Sequence, residues 1–504
     1  MPEINNLYDF YHQGFLKNPD ALLLETEKGA RFSYEDAETL SAKLANGLSE
    51  LGLQPGDRVT VQVDKSPEAL WLYLACLRGG FVYHPLNTAY KSEELEFFLD
   101  NAKPSLVVCD PLSEETVLKL TNRFHIPHTK TLSSDGDGSL FNLMSSNDKF
   151  KTVAVYKDDP AALLYSSGTT GRPKGIVLSH KNLSTNAETL TKLWGFTNQD
   201  RLLHVLPIYH VHGLFVALGC VLCSGASMKW INTFDAKSAS SFMPESTVMM
   251  GVPTHYTRLL KESSFTKKNT SNIRLFISGS APLLEETFNE FKDLTGHAIL
   301  ERYGMSETNI NSSNPLQGER LAGTVGLPLP GVEIRITNDS NEPLPINEIG
   351  NLQVKGDNVF KGYWQMPEKT AEDFTSDGFF NTGDQASIDQ NGYISIVGRS
   401  KDLIITGGLN VYPKELELLV NDIEAVSESA FIGLPDEDFG ESVTAILVLK
   451  ENQEYSEVDI KEYLKNKIAN FKVPKYIFYV EELPRNAMGK VQKNVLREEF
   501  SKKI

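Results

Sequence analysis

Apolar positions along the chain keep changing period, and each change marks an element. In FSYEDAETLSAKLANGLSELG (32–52), Leu40, Leu44, Leu48 and Leu51 return on one helical face. Ser33 and Asp36 stand at capping-box spacing before them and Gly52 ends the run, so an amphipathic helix is predicted. RVTVQV (58–63) alternates as a strand, and PEALWLYLACLRGG (67–80) reads as a buried helix closed by glycines. Short apolar runs follow at AALLYSS (161–167), GIVLSH (175–180), RLFISGS (274–280) and AILERYG (298–304), each passing into a loop or a helix start. Repetition of strand, helix and strand predicts α/β layers on largely parallel sheets.

Past about residue 330 the texture changes. VEIRITN (332–338), GNLQVKG (350–356) and GYISIVG (392–398) alternate and are linked by turn residues, which predicts a small barrel or antiparallel sheet. After GRSKD (398–402) helices and strands mix, enough for a small α+β domain. The expected division is a large domain over 1–400, made of layered α/β subdomains plus a small barrel-like one, and a second domain over 401–504. A chain of 504 residues exceeds what one core holds.

Composition narrows the class. With 40% hydrophobic and 23% charged residues the chain reads as globular. Its net charge of −17 argues against nucleic acid or an anionic membrane as the main partner. No signal or transit pattern is visible at the start, and the longest apolar stretch, LFVALGCVLC (214–223), is too short to span a bilayer, so a cytoplasmic location is expected. Cys220 and Cys223 form a lone CxxC in apolar surroundings; buried thiols are the expectation over metal or redox chemistry.

The stretch YSSGTTGRPKG (165–175) lies between two predicted strands. Glycines let a backbone approach a ligand, while hydroxyls and successive N–H groups converge on anionic oxygens, and Lys174 adds a point charge. A plain turn would need neither the threonines nor the lysine. It is not a Walker A loop, since Pro173 and Gly175 flank the lysine. Phosphate binding is the favoured reading.

YSSGTTGRPKG resembles the phosphate loop of the adenylate-forming superfamily, which includes acyl-CoA synthetases, luciferases and peptide-synthetase adenylation domains. YGMSET (303–308), NTGD (381–384), GRSKD (398–402), GGLNVYPKELE (407–417) and PRNAMGK (484–490) follow in that family's order over nearly the whole chain. The resemblance implies ATP-dependent formation of an acyl-adenylate, then transfer of the acyl group to coenzyme A, with Mg²⁺ as the metal. Ser166, Ser167, Gly168, Thr169, Thr170, Gly171 and Lys174 would cradle the phosphates, and Glu307 would hold Mg²⁺. Gly279, Ser280 and Ala281, with Tyr303 and Gly304, would sandwich the purine, Glu301 would accept from its amine, and Asp384 with Arg399 would grip the ribose. Lys490, Glu307 and Thr170 are the implied catalytic residues. A mobile C-terminal domain would rotate about Lys401, bringing Gly407 and Gly408 to the pantetheine tunnel.

Arg302 points to the acid. An arginine beside an acyl pocket is unfavourable under an alkyl chain and sensible against a second carboxylate. GSAPLLEETFNEFKDLTGHAILERYGMSETN (279–309) and LPRNAMGKVQKNVLRE (483–498) resemble malonyl-CoA synthetases in particular. By that resemblance Arg258, Ser280 and Arg302 would bind the dicarboxylate, and His212 would stand beside the acyl pocket. A helix-surface arginine remains the alternative for Arg258, and a packed core histidine for His212. Malonate, or methylmalonate, is the expected acid; a short or medium-chain monocarboxylate is the rival, and no stable protein partner is implied.

Overall fold

The computed structural model describes residues 5–166, 173–406, 409–436, 439–451, 453–486 and 489–504. Two sheets dominate the first part. One has nine strands, and from Leu300–Met305 through Leu275–Ser278, Val248–Gly251, Arg201–His204 and Ser227–Trp230 to Leu22–Thr26 its neighbours run parallel. The other has seven, parallel from Pro160–Tyr165 through Val82–Pro85, Arg58–Gln62 and Leu106–Cys109 to His128–Thr131. A single apolar cluster joins both sheets. It includes the helix Pro67–Gly79, buried throughout from Ala69 onward, and the segment Leu214–Leu222. The predicted amphipathic helix forms as Tyr34–Glu50, with the Ser33–Asp36 capping box in place.

The thiols of Cys76, Cys109, Cys220 and Cys223 are free, and burial pushes that of Cys220 up to about 12. The apolar CxxC is core. Arg58–Gln62 departs from simple alternation: Val59 to Gln62 are all buried, because a central parallel strand is covered on both faces.

A four-stranded antiparallel sheet follows, in the order Val332–Thr337, Gly350–Gly356, Phe380–Ile388, Ile394–Arg399. NTGD lies inside its nine-residue strand Phe380–Ile388, where the pairing slips and Gly383 takes a φ of +72°. Beyond Leu403 a five-stranded sheet and three helices pack on two cores of their own. No helix among the described residues is long and apolar enough to cross a membrane.

Tyr165, His204, Ser278 and Met305 end their strands at the carboxyl edges of the two sheets, so the loops that follow converge on one crevice.

Candidate active site

That crevice holds a cavity of about 650 Å³. Ser166, Lys174, His212, Ser280, Arg302, Gly304, Glu307, Arg399, Lys401 and Lys490 all line it. Residues from distant parts of the sequence are thus brought together. Ser167, Gly168, Thr169, Thr170, Gly171, Gly407 and Gly408 lie outside the described residues.

The stretch expected to bind phosphate is flanked by an antiparallel pair, Pro160–Tyr165 against Gly175–Ser179. Its base is closed twice: Ser166 N–H donates to the Lys174 carbonyl at 3.0 Å, and Lys174 N–H donates to Ser166 Oγ at 3.0 Å. Lys174 Nζ then donates to the Tyr363 hydroxyl at 3.1 Å, lies 4.2 Å over that ring, and stands 3.6 Å from Asp373. The Tyr363 hydroxyl reaches on to Glu307 Oε1 at 3.5 Å. Sequence reasoning misses Tyr363 and Asp373. They sit in FKGYWQMPEKTAED, where nothing in residue type or period marks a bridge between a lysine and an acid.

Glu307 is buried, and burial raises its carboxyl above the usual range. The described residues contain no cluster of three His, Cys, Asp or Glu that would hold a metal alone. One desolvated carboxylate, linked through Tyr363 to Lys174, fits Mg²⁺, which takes one or two protein carboxylates and fills its shell with phosphate oxygens and water.

Asp384 and Arg399 face each other across paired strands, with Arg399 Nε 2.7 Å from Asp384 Oδ1. Tyr303 donates its hydroxyl to the other oxygen, Asp384 Oδ2. The Asp384 carboxylate in turn holds the Arg399 guanidinium above its ordinary range. Neither Asp384 nor Tyr303 lines the cavity, whose wall here is Arg399, Thr382 and Gly383.

Lys490 enters from the C-terminal part. Its turn is pinned by Asn486 N–H to the Lys490 carbonyl at 2.9 Å and by Lys490 N–H to Asn486 Oδ1 at 3.0 Å, with Gly489 at φ +74°. Burial, with the Arg399 charge nearby, pushes its ammonium down to about 8. Lys401 sits in a short helical turn, Ser400–Asp402, between the last strand of the four-stranded sheet and the five-stranded one.

Arg302 lines the same cavity. It is 5% exposed, its Nε and Nη2 are buried without a partner, and burial pushes it down to about 9. His212 is neutral beside it, lowered by burial and then by the Arg302 charge; its Nδ1 is 3.3 Å from Ser280 Oγ and its Nε2 has no partner.

Further expectations are not met by the geometry. Arg258 is exposed in the last turn of the helix Pro253–Leu260 and does not line the cavity, because helical spacing turns it to solvent while Tyr256 and Leu259 face the core. Strand alternation sends Glu301 to the opposite side from Arg302; it is buried off the cavity, with Oε1 unpartnered and its carboxyl pushed up to about 8 by burial. Gly279 and Ala281 border the loop without lining the cavity.

A family model described as AMP-binding enzyme matches residues 12–364, and one for the AMP-binding enzyme C-terminal domain matches 415–490. The chain belongs to the AMP-binding enzyme family. Within it, the chain is a malonyl-CoA synthetase-like member of the AMP-forming acyl-CoA synthetases, an acid–thiol ligase that uses ATP and coenzyme A. Among solved structures it is similar to ATP-bound MatB from Rhodopseudomonas palustris, at 49% identity and a TM-score of 0.96, covering 98% of this chain and 99% of that one. Against the apo form of the same MatB the TM-score is 0.86, over 99% of each chain. A malonate–CoA ligase of Arabidopsis thaliana is 36% identical over 487 residues, 88% of this chain and 78% of the relative.

Proposed function

We propose that this family member joins malonate to coenzyme A. The observation that carries this reading is Arg302, a buried guanidinium with two unpartnered nitrogens in the wall of the cavity. A buried cation left so costs stability, and a carboxylate at the distal end of a short acid supplies the missing acceptor.

In the first half-reaction a carboxylate oxygen of the acid attacks the α-phosphorus of ATP. A P–O bond forms, the bond to the β-phosphate breaks, and pyrophosphate leaves. Lys490 neutralises the approach of the two anions, and Ser166 and Lys174 meet the β- and γ-phosphates. Glu307 would hold Mg²⁺, which spreads the phosphate charge when bound. Asp384, held by Arg399 and Tyr303, would receive the ribose hydroxyls once the Tyr303 hydroxyl yields. In the second half the thiolate sulfur attacks the acyl carbon, and the bond to AMP breaks.

Both halves use one cleft, so Lys490 has to withdraw. Rotation of 401–504 about Lys401, with Gly407 and Gly408 then turned to the thiol path, is the motion proposed. The different likeness to the ATP-bound and apo forms of one relative supports two arrangements.

Pyrophosphate release with malonate, methylmalonate, succinate, acetate and butyrate at fixed ATP tests the reading: malonate is expected to lead, and a lead by butyrate overturns it. One added methyl is worth about 1–3 kcal/mol in a pocket, so methylmalonate is expected to be used at a lower rate.

Lys490 also predicts a pH profile. Its charged form is needed and prevails below its lowered value of about 8. The kcat/KM for adenylation is therefore expected to fall above about pH 8, while in Lys490→Arg, weaker throughout, the fall moves up to about pH 9, where Arg302 loses its charge.

A further inference from the structure

Gly279 and Ser280 follow the strand Leu275–Ser278, and their conformations are the reverse of what their side chains would suggest. Ser280 has φ +72°, the left-handed region that glycine ordinarily fills. Gly279 is outside that region, in a backbone conformation open to any residue. Glycine at 279 is therefore not there for its φ.

What it leaves is space, and one group occupies it. A Cβ built on residue 279 would stand 2.4 Å from Arg302 Cζ, 2.5 Å from Nε and 2.7 Å from Nη1. All three nearest atoms belong to the guanidinium. An added methyl thus meets first the movable end of a side chain, so the fold can keep its path while the guanidinium cannot keep its place. The next residue, Ser280, carries the hydroxyl that stands 3.3 Å from His212 Nδ1. One short turn therefore seats both polar groups of the acyl end.

We infer that Gly279 is a specificity-determining positioning residue: by lacking a side chain it lets the Arg302 guanidinium draw back against the 279 backbone, and so sets the length of diacid that fits between Arg302 and the reacting carboxylate. The inference rests on the malonate reading for the name of the acid, and on the contact alone for the mechanism. Its chemistry is a fixed distance between two cationic centres. Lys490 meets the near carboxylate, Arg302 the far one, and Gly279 fixes where the second centre stands.

The Gly279→Ala variant is expected to lower kcat/KM for malonate by about 10²-fold, as an ångström-scale displacement does, with KM for malonate carrying most of the change and KM for ATP unmoved. In an Arg302→Gly background the same substitution is expected to make no further difference, so the double-mutant cycle shows full coupling. Thermal unfolding without substrates repeats the cycle: Gly279→Ala lowers Tm when Arg302 is present and leaves it unchanged in the Arg302→Gly background. A silent Gly279→Ala overturns the inference, as does an equal effect in all backgrounds or a rise in KM for ATP that accounts for the loss. Should the wild type prefer another acid, the malonate reading alone fails. The preferred acid then takes malonate's place in the kinetic cycle, and the Tm cycle stands unaltered.

Discussion

Replacing Arg302 by glycine is expected to lower kcat/KM for malonate by about 10³-fold, while kcat/KM for butyrate rises. The size follows from what is removed. Truncating one member of a buried, hydrogen-bonded charge pair costs about 2–5 kcal/mol, because the partner is left desolvated and unpaired. On the malonate reading the partner would be the distal carboxylate, with Ser280 and neutral His212 beside Arg302 in the cavity wall. Neither neighbour supplies a positive charge, since burial keeps His212 deprotonated. Butyrate places a methyl where malonate has its second carboxylate, so the same change that strips malonate of its counterion gives an alkyl end room. A parallel loss with both acids would mean that Arg302 acts on the nucleotide or the fold.

Removing this charge has a stability signature of opposite sign. Arg302 is held below its ordinary value by burial, so its charged form is disfavoured in the folded state. For a base lowered in the fold that cost is present in full below about pH 9 and fades as pH rises toward the unfolded value. Arg302→Met fills the volume without the charge and is expected to raise Tm at neutral pH in the absence of substrate. Lost activity with gained stability is the pattern of a residue retained for its ligand.

The layers and the nucleotide motifs are more legible in the sequence than the acyl pocket is. Strands such as Leu275–Ser278 and Leu300–Met305 can be read because apolar runs of that length, bounded by turn residues, have few other fates in a globular chain. Lys174, Glu307 and Lys490 can be read because their motifs are local. Arg258 and Glu301 are placed by neighbourhood in the chain, and orientation undoes both: one lies on the solvent face of its helix, the other on the far face of its strand. Tyr363 and Asp373 meet Lys174 only through the pairing of Gly362–Tyr363 with Gly175–Ser179, a long-range register that no local pattern encodes. Gly279 looks like part of a nucleotide loop, and only its distance to Arg302 reassigns it.

Lys490→Ala is expected to separate the two half-reactions. Adenylation, read as malonate-dependent exchange of labelled pyrophosphate into ATP, should fall by about 10²–10³-fold, the scale set by deleting one preorganised donor from a charged transition state. Thioester formation from synthetic malonyl-adenylate and coenzyme A should stay within about 3-fold of wild type, because in that step the carboxylate is already bonded to phosphorus and no second anion approaches it. The physical ground is where the ammonium stands. Arg399 and Arg302 repel it, Asp384 and Glu307 pull against them, and burial leaves its charge poised near pH 8 until an anion arrives. Two anions in the cleft raise that value and fix the proton; an acyl-adenylate and a thiol give it less to hold. An equal loss in both half-reactions would place Lys490 in the thioester step too, and would remove the need for the 401–504 region to carry it away between them.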